Sequence, residues 1–129
     1  MSKPNLSSIY QNYLDCLNRR DWSSLDQFVA DDVTHNGRQI GLSGYREMLE
    51  EDVRNIPDLR FTIEMLICEP PAIASRLVFD CRPAGRFLGL PINGKRVAFA
   101  ENVFYAFRDG KIAQVWSVID KAAIETQLQ

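Results

Sequence analysis

The sequence predicts an α+β fold in which a strongly curved antiparallel sheet wraps around three N-terminal helices. Three observations carry this. Apolar residues recur with helical spacing up to Ile56, the period drops to two from Leu59 onward, and Asn36-Gly37 and Asp109-Gly110 stand between strand-like runs as turn dipeptides. Helices followed by a run of antiparallel strands pack with the helices gathered on one face of the sheet.

Leu6, Ile9, Tyr10, Tyr13, Leu14 and Leu17 form one apolar stripe on a first helix that opens near Pro4-Asn5. After the short connection Asn18 to Trp22, Asp21 caps a second helix carrying Leu25, Phe28 and Val29. Val33-Thr34-His35 and Arg38-Gln39-Ile40 flank Asn36-Gly37 as a small hairpin. Ser43 then caps a third helix, with Tyr45, Met48, Leu49, Val53 and Ile56 inward and Arg46, Glu47, Glu50, Glu51 and Arg54 outward; Pro57-Asp58 ends it. Leu59, Phe61, Ile63, Met65 and Ile67 alternate with polar residues as a half-buried strand that stops at Pro70-Pro71. A second strand runs from about Ile73 to Arg82, and a loop fills 83–94. The long hairpin Arg96 to Arg108 and Lys111 to Asp120 turns at Asp109-Gly110, and Ala123, Ile124 and Leu128 close the chain as a helix.

With 129 residues, 46% hydrophobic and 25% charged, the chain reads as a single domain over 1–129 that buries enough surface to fold without a disulfide or metal. A net charge of -2 gives no reason to expect a nucleic acid or an anionic membrane as partner. No apolar run reaches the roughly 20 residues of a membrane span, and Met1-Ser2-Lys3-Pro4-Asn5 lacks a signal peptide's apolar stretch, so the expected location is the cytoplasm. Cys16, Cys68 and Cys81 are odd in number and far apart, which suits reduced thiols. With one histidine and neither metal-ligand spacing nor a glycine-rich phosphate loop, zinc hydrolases, P-loop enzymes and dinucleotide dehydrogenases are excluded.

The second half carries a recognisable run. It comprises Gly85-Arg86-Phe87-Leu88-Gly89-Leu90-Pro91-Ile92-Asn93-Gly94-Lys95-Arg96-Val97, then Phe104 to Phe107, Asp109-Gly110-Lys111-Ile112 and Trp116-Ser117-Val118-Ile119-Asp120. This resembles the SnoaL-like polyketide (ester) cyclases of the nuclear-transport-factor-2-like superfamily, and Tyr13, Asp21-Trp22, Leu25 and Asp32 to His35 fit the same pattern in the helical half. The resemblance implies a cone-shaped α+β barrel with a cofactor-free pocket between helices and sheet. It also implies that the aspartate at the position of Asp120 moves protons in an intramolecular aldol closure. Where the family commonly has a histidine just before the first glycine of the run, this chain has Pro83. Either His35 or Arg82 then covers that role, or the family's usual cyclisation is not performed.

If Asp109-Gly110 makes a two-residue turn, Phe107 faces Ile112, Tyr105 faces Gln114, Val103 faces Trp116, Glu101 faces Val118 and Phe99 faces Asp120. That mostly apolar face is the expected inner one, and it sets Glu101 and Asp120 beside Trp116 and Tyr105. Desolvation raises such carboxyl pKa values toward those of a general acid or base. Arg82, Tyr13, Asn102 or His35 would hold an enolate oxygen, and one bulge in the hairpin would exchange faces. Each residue also has a plainer reading. Asp120 would cap the terminal helix, Glu101 would pair with Arg76 or Arg82, His35 would be solvated beside its turn, and Trp116, Tyr105 and Phe99 would be core or pocket wall. The expected ligand is a small, mostly apolar, oxygenated ring or chain compound, taken without metal, nucleotide or flavin through a mouth near the helix pair and the 83–94 loop. A homodimer is expected through an outer sheet face holding Ala98, Ala100, Ala113, Val115 and Ile119. A non-catalytic binding or dimerisation protein of the same fold is the competing reading.

Overall fold

Asn5 opens the first helix, α1 (Leu6–Asn18), its side-chain oxygen accepting the Ser8 N–H at 3.3 Å. The computed structural model describes residues 5–129, so Pro4, the other residue expected at this opening, lies outside the described residues. Leu6, Tyr10, Tyr13, Leu14 and Leu17 are buried on one face, as their spacing requires. At the far end Asn18 clamps the main chain of Phe61, donating to its carbonyl at 3.0 Å and accepting its N–H at 2.8 Å, which ties α1 to the start of the sheet.

The second helix is shorter and tighter than expected: a 3-10 helix over Trp22–Gln27, without a side-chain cap from Asp21. Phe28 and Val29 are taken up by the sheet instead, because the Ile112 N–H bonds the Phe28 carbonyl at 2.8 Å and Val29 pairs with Ile112. The first strand, β1 (Val29–His35), thus starts four residues before Val33 and runs parallel to β8 (Lys111–Ile119). Asn36 and Gly37, with φ of 49° and 83°, turn β1 into the two-residue β2 (Arg38–Gln39). Helix α2 (Gly41–Asn55) begins ahead of Ser43, which lies inside it, and turns Tyr45 and Leu49 into the core.

Leu59 and Phe61 precede the next strand, β3 (Thr62–Glu69), rather than belonging to it. A register shift between Ile63 and Met65 reverses the alternation beyond it, so that Met65 and Ile67 face solvent while Leu66 and Cys68 are half-buried. Strand β4 (Ala72–Cys81) buries Ile73, Leu77, Phe79 and Cys81 on its inner side. The 83–94 segment holds a miniature hairpin of β5 (Arg86–Phe87) and β6 (Leu90–Pro91), turned by Leu88 and Gly89 at positive φ. Strand β7 (Val97–Arg108) then pairs with both β4 and β8, and α3 (Lys121–Gln127) ends the fold.

The main sheet has the order β2-β1-β8-β7-β4-β3. Its pairings are antiparallel, as expected, apart from β1 with β8, which adds one parallel pair. Its concave side packs on α1, the 3-10 helix and α2 around a core including Tyr10, Leu17, Leu25, Ile73, Leu77 and Ile112. Cys16, Cys68 and Cys81 are all free thiols. No helix among the described residues is long and apolar enough to cross a membrane.

The β7–β8 hairpin departs from its expected register in one place. Phe107 faces Ile112, but Ala106 faces Gln114, leaving Ala113 as an extra residue in β8. Tyr105 therefore faces Val115, Val103 faces Ser117 and Glu101 faces Ile119, while Trp116 moves to the outer surface opposite Phe104. The inward placing of Trp116 and Asp120 is corrected by this bulge, because shifting one strand by a residue exchanges its two faces. The outer-face expectation is corrected with it: Ala113 and Val115 are buried, and Ile119 lines the interior. Asp120 is exposed and caps α3, its carboxylate accepting the Ala123 N–H at 3.1 Å. Replacing Asp120 with Ala is expected to cost about 1 kcal/mol in denaturant unfolding and Asp120→Asn to change little, because Asn caps nearly as well; equal losses for both would contradict the capping role.

Candidate functional site

Between α1, α2 and the concave sheet lies a cavity of about 410 Å³. Tyr13, Leu14 and Leu17 of α1 form one wall, Tyr45, Met48, Leu49 and Asp52 of α2 another, and Glu101, Val103, Tyr105, Val115, Ser117 and Ile119 the sheet side. Exposed Leu88, Asn36 and Lys121 stand on its open side together with half-buried His35. Leu88 comes from the 83–94 segment, where the mouth is expected.

Glu101 is the most confined carboxylate in this space. Among the described residues its only side-chain partner is the Ser117 hydroxyl, which donates to Oε2. Burial drives the carboxyl's pKa upward, and the Ser117 bond offsets part of that rise. The bulge sets this contact by bringing Ser117 onto the inner face. Asn36 then holds the same residue from the other side, accepting the Ser117 N–H at 2.8 Å and donating to its carbonyl at 3.3 Å. Neither expected partner reaches Glu101: the Arg76 guanidinium bonds Glu64 and Asn102, and Arg82 lies beside Asp58, Asp80 and Arg96 away from the cavity.

A second carboxyl, Asp52, enters from α2. Burial first, then the charges of Glu101 and Glu51, push it up to about 7. Nearby, the Tyr13 and Tyr45 hydroxyls lie 2.6 Å apart. Whichever of the two donates, the other keeps a proton that this bond does not use. Burial raises both phenol pKa values far above neutrality, so both remain donors. Tyr10 donates to Tyr105 at 3.3 Å, and its ring lies 4.9 Å from that of Tyr105, which braces the tyrosines from behind. His35 packs edge-on to Tyr45 at 6.5 Å, and burial lowers its pKa, favouring the neutral ring.

Of the residues singled out from sequence, Glu101, His35, Tyr13 and Tyr105 line this cavity and Phe99 lines a recess opening from it. Four lie elsewhere. Asp120 caps α3, Trp116 and Asn102 are exposed on the outer side of the sheet, and Arg82 sits in a shallow polar depression with Asp58, Asp80 and Arg96. Sequence reasoning missed Asp52, Tyr45 and Ser117. Asp52 had a signal: it falls at i+7 from Tyr45 and i+3 from Leu49, an acid placed on an apolar stripe. Among the described residues no three His, Cys, Asp or Glu side chains converge as metal ligands.

The raised carboxyl carries a stability consequence. Below pH 3.8 both folded and unfolded chains hold the Asp52 proton; between 3.8 and about 7 the unfolded chain releases it first, so stability falls as pH rises through that window. Asp52→Asn removes this loss. Its unfolding free energy is expected to gain on the parent protein from pH 4 to pH 8, on the order of 2–4 kcal/mol by the upper end. A difference between the two proteins that does not vary with pH would contradict the buried placement.

Comparison with known proteins places this geometry in a family. The model of the SnoaL-like polyketide cyclases matches residues 7–128. A SnoaL-like polyketide cyclase from Agrobacterium tumefaciens str. C58, known from its crystal structure, is 53% identical over 98% of this chain and 100% of its own, with a TM-score of 0.97. TsrD from Streptomyces laurentii is 24% identical over 99% of this chain and 97% of its own, with a TM-score of 0.82. IdmH from Streptomyces antibioticus is 19% identical over 97% and 99%, with a TM-score of 0.83. At those identities the last two share the fold. No curated protein sequence matches the chain. Nearly the whole length is accounted for by one family model and one close structural relative, and the chain belongs to the SnoaL-like polyketide cyclase family.

Proposed function

We propose that the protein is a cofactor-independent cyclase or isomerase that performs acid/base chemistry on a small hydrophobic carbonyl compound in the helix–sheet cavity. The observation that carries this reading is Glu101, a carboxylate enclosed by apolar and tyrosine side chains and hydrogen-bonded by the Ser117 hydroxyl. In this scheme Glu101 takes a proton from the carbon next to the carbonyl. The resulting enolate oxygen accepts the uncommitted hydroxyl proton of the Tyr13–Tyr45 pair. In a cyclase the enolate's electron pair forms a carbon–carbon bond to a second carbonyl, and protonated Asp52 delivers its proton to the new alkoxide. Glu101 then returns its proton to Asp52, which closes the cycle without a metal or redox partner. In an isomerase, the proton returns to a different carbon. Asp120 has no part in this scheme beyond capping α3.

The test uses 2-methylcyclohexanone, whose α-protons exchange slowly unaided. The protein is expected to accelerate deuterium uptake from D₂O, read by NMR, and Glu101→Gln to reduce that acceleration at least about 100-fold while binding changes less than about threefold. Unchanged exchange in Glu101→Gln would defeat the assignment and leave a binding protein.

The same reading includes a homodimer through the outer sheet face. Ile67, Ala74, Phe104 and Trp116 face one another in a row across β3, β4, β7 and β8. Ile67 and Phe104 are each 58% exposed, Trp116 43%, and Val118 in the adjacent row 69%. A second copy turned by a two-fold axis lays the same row against itself, which covers the patch on both. Light scattering at micromolar concentration is expected to give twice the 14.7 kDa chain mass, and Phe104→Lys to give a monomer. A monomer for the parent protein would rule this out.

A further inference from the structure

Asp52, Phe61, Glu101 and Ile119 line two hollows at once: the main cavity, and a recess of about 50 Å³ beyond it. These four side chains form the neck between them. Past the neck the recess is bounded by Ile56, Leu59, Phe79, Phe87 and Phe99, with no polar side chain other than the two carboxyls at its entrance. Phe79 stacks on Phe99 at 5.2 Å, and Phe87 meets Phe99 at 5.5 Å. Phe79 and Phe99 are held by strand pairing across β4 and β7, so that wall does not collapse into the space. A water needs roughly 10–15 Å³ of such volume and several polar partners, and the recess has room for about three or four small groups with almost nothing to hydrogen-bond them. An apolar ligand group fits that description better than solvent.

From this arrangement we infer that the recess is a side-chain subsite: it takes a short alkyl substituent of about two to four carbons next to the substrate's carbonyl and so selects which carbon stands between Asp52 and Glu101. The inference rests on the proposed acid/base reading for the reacting carbon, but the recess itself is defined by shape and by apolar walls. Its substrate class is narrower than that of the cavity as a whole: a ring or chain ketone carrying one small alkyl branch at the α position. A long or polar branch is rejected at the neck, where two carboxyls flank a passage walled by Phe61 and Ile119.

The experiment measures binding of 2-methyl-, 2-ethyl-, 2-propyl- and 2-hexylcyclohexanone by calorimetry and deuterium uptake for the same compounds. In the parent protein affinity is expected to rise about fourfold per methylene from methyl to propyl and to fall at hexyl. Leu59→Phe fills the recess and is expected to erase the gain from methyl to propyl while changing methyl affinity less than about threefold. Phe87→Ala, at a half-exposed position of the β5–β6 hairpin that does not threaten folding, opens the recess and moves the optimum to the longer chain. A flat series in the parent protein, no binding of any member, or variants that shift all four ligands equally would overturn the subsite. Graded binding without deuterium uptake supports the subsite and counts against the acid/base reading; uptake with a flat series does the reverse.

Discussion

A single extra residue in β8 decides what this molecule presents to its interior. Ala113 has no partner in β7, and from that point to Ile119 each β8 side chain takes the face opposite to the one a regular hairpin would give it. Ser117 comes inside to meet Glu101, and Val115 and Ile119 become cavity wall. Trp116 and Val118 go outside to join Phe104. The parallel pairing of β1 with β8 secures the result, because Asn36 grips both the N–H and the carbonyl of Ser117 and so holds the bulged strand where it must be to reach Glu101.

The interior assembled this way is costly in a specific manner. Two carboxyls and four tyrosine hydroxyls have been withdrawn from water, and the groups that satisfy them are mostly one another. Residues devoted only to stability would fill the same volume with Leu or Ile and lose nothing. The cost is supported by well-paired surroundings: the α1 stripe, the alternating inner face of β4, and the clamp of Asn18 on Phe61. Low dielectric strengthens whatever hydrogen bonds the hydroxyls make.

Much of the fold was legible in the sequence because it depends on period and turn chemistry. The stripe of α1, the alternation of β4, and the Asn-Gly and Asp-Gly turns all report local physics, and the structure shows positive φ at Asn36, Gly37, Asp109 and Gly110 as such turns require. The long run from Gly85 to Val97 carried the family. What escaped is non-local. Capture of Phe28 and Val29 by β8 overrode a helical spacing, and the bulges at Ala113 and near Ile63 reversed the faces of two strands with no local signal. Site residues followed the same division. Glu101, Tyr13 and Tyr105 keep their inward faces because β7 and α1 are regular; Trp116 and Asp120 lie downstream of a bulge. Asp52 was readable from its place on the α2 stripe, yet it was assigned to neither the inward nor the outward face of that helix.

Strand β7 serves both sides of the sheet with no spare positions. Phe99, Glu101, Val103 and Tyr105 line the hollows within, and the intervening Asn102 and Phe104 face out among the apolar side chains of the outer surface. In mutational terms the two sets are separable by replacement: a lineage can drift at the even positions and leave the inner wall alone, or the reverse. Insertion and deletion are another matter. One residue gained or lost just before Glu101 would invert both surfaces from there on, carrying Glu101 into solvent and Phe104 toward the tyrosines. Divergence within this strand therefore proceeds by exchange of side chains at constant length, while a change of length in the β5–β6 hairpin, which pairs only with itself, would leave the register of the main sheet untouched and alter only the rim that Phe87 and Leu88 supply.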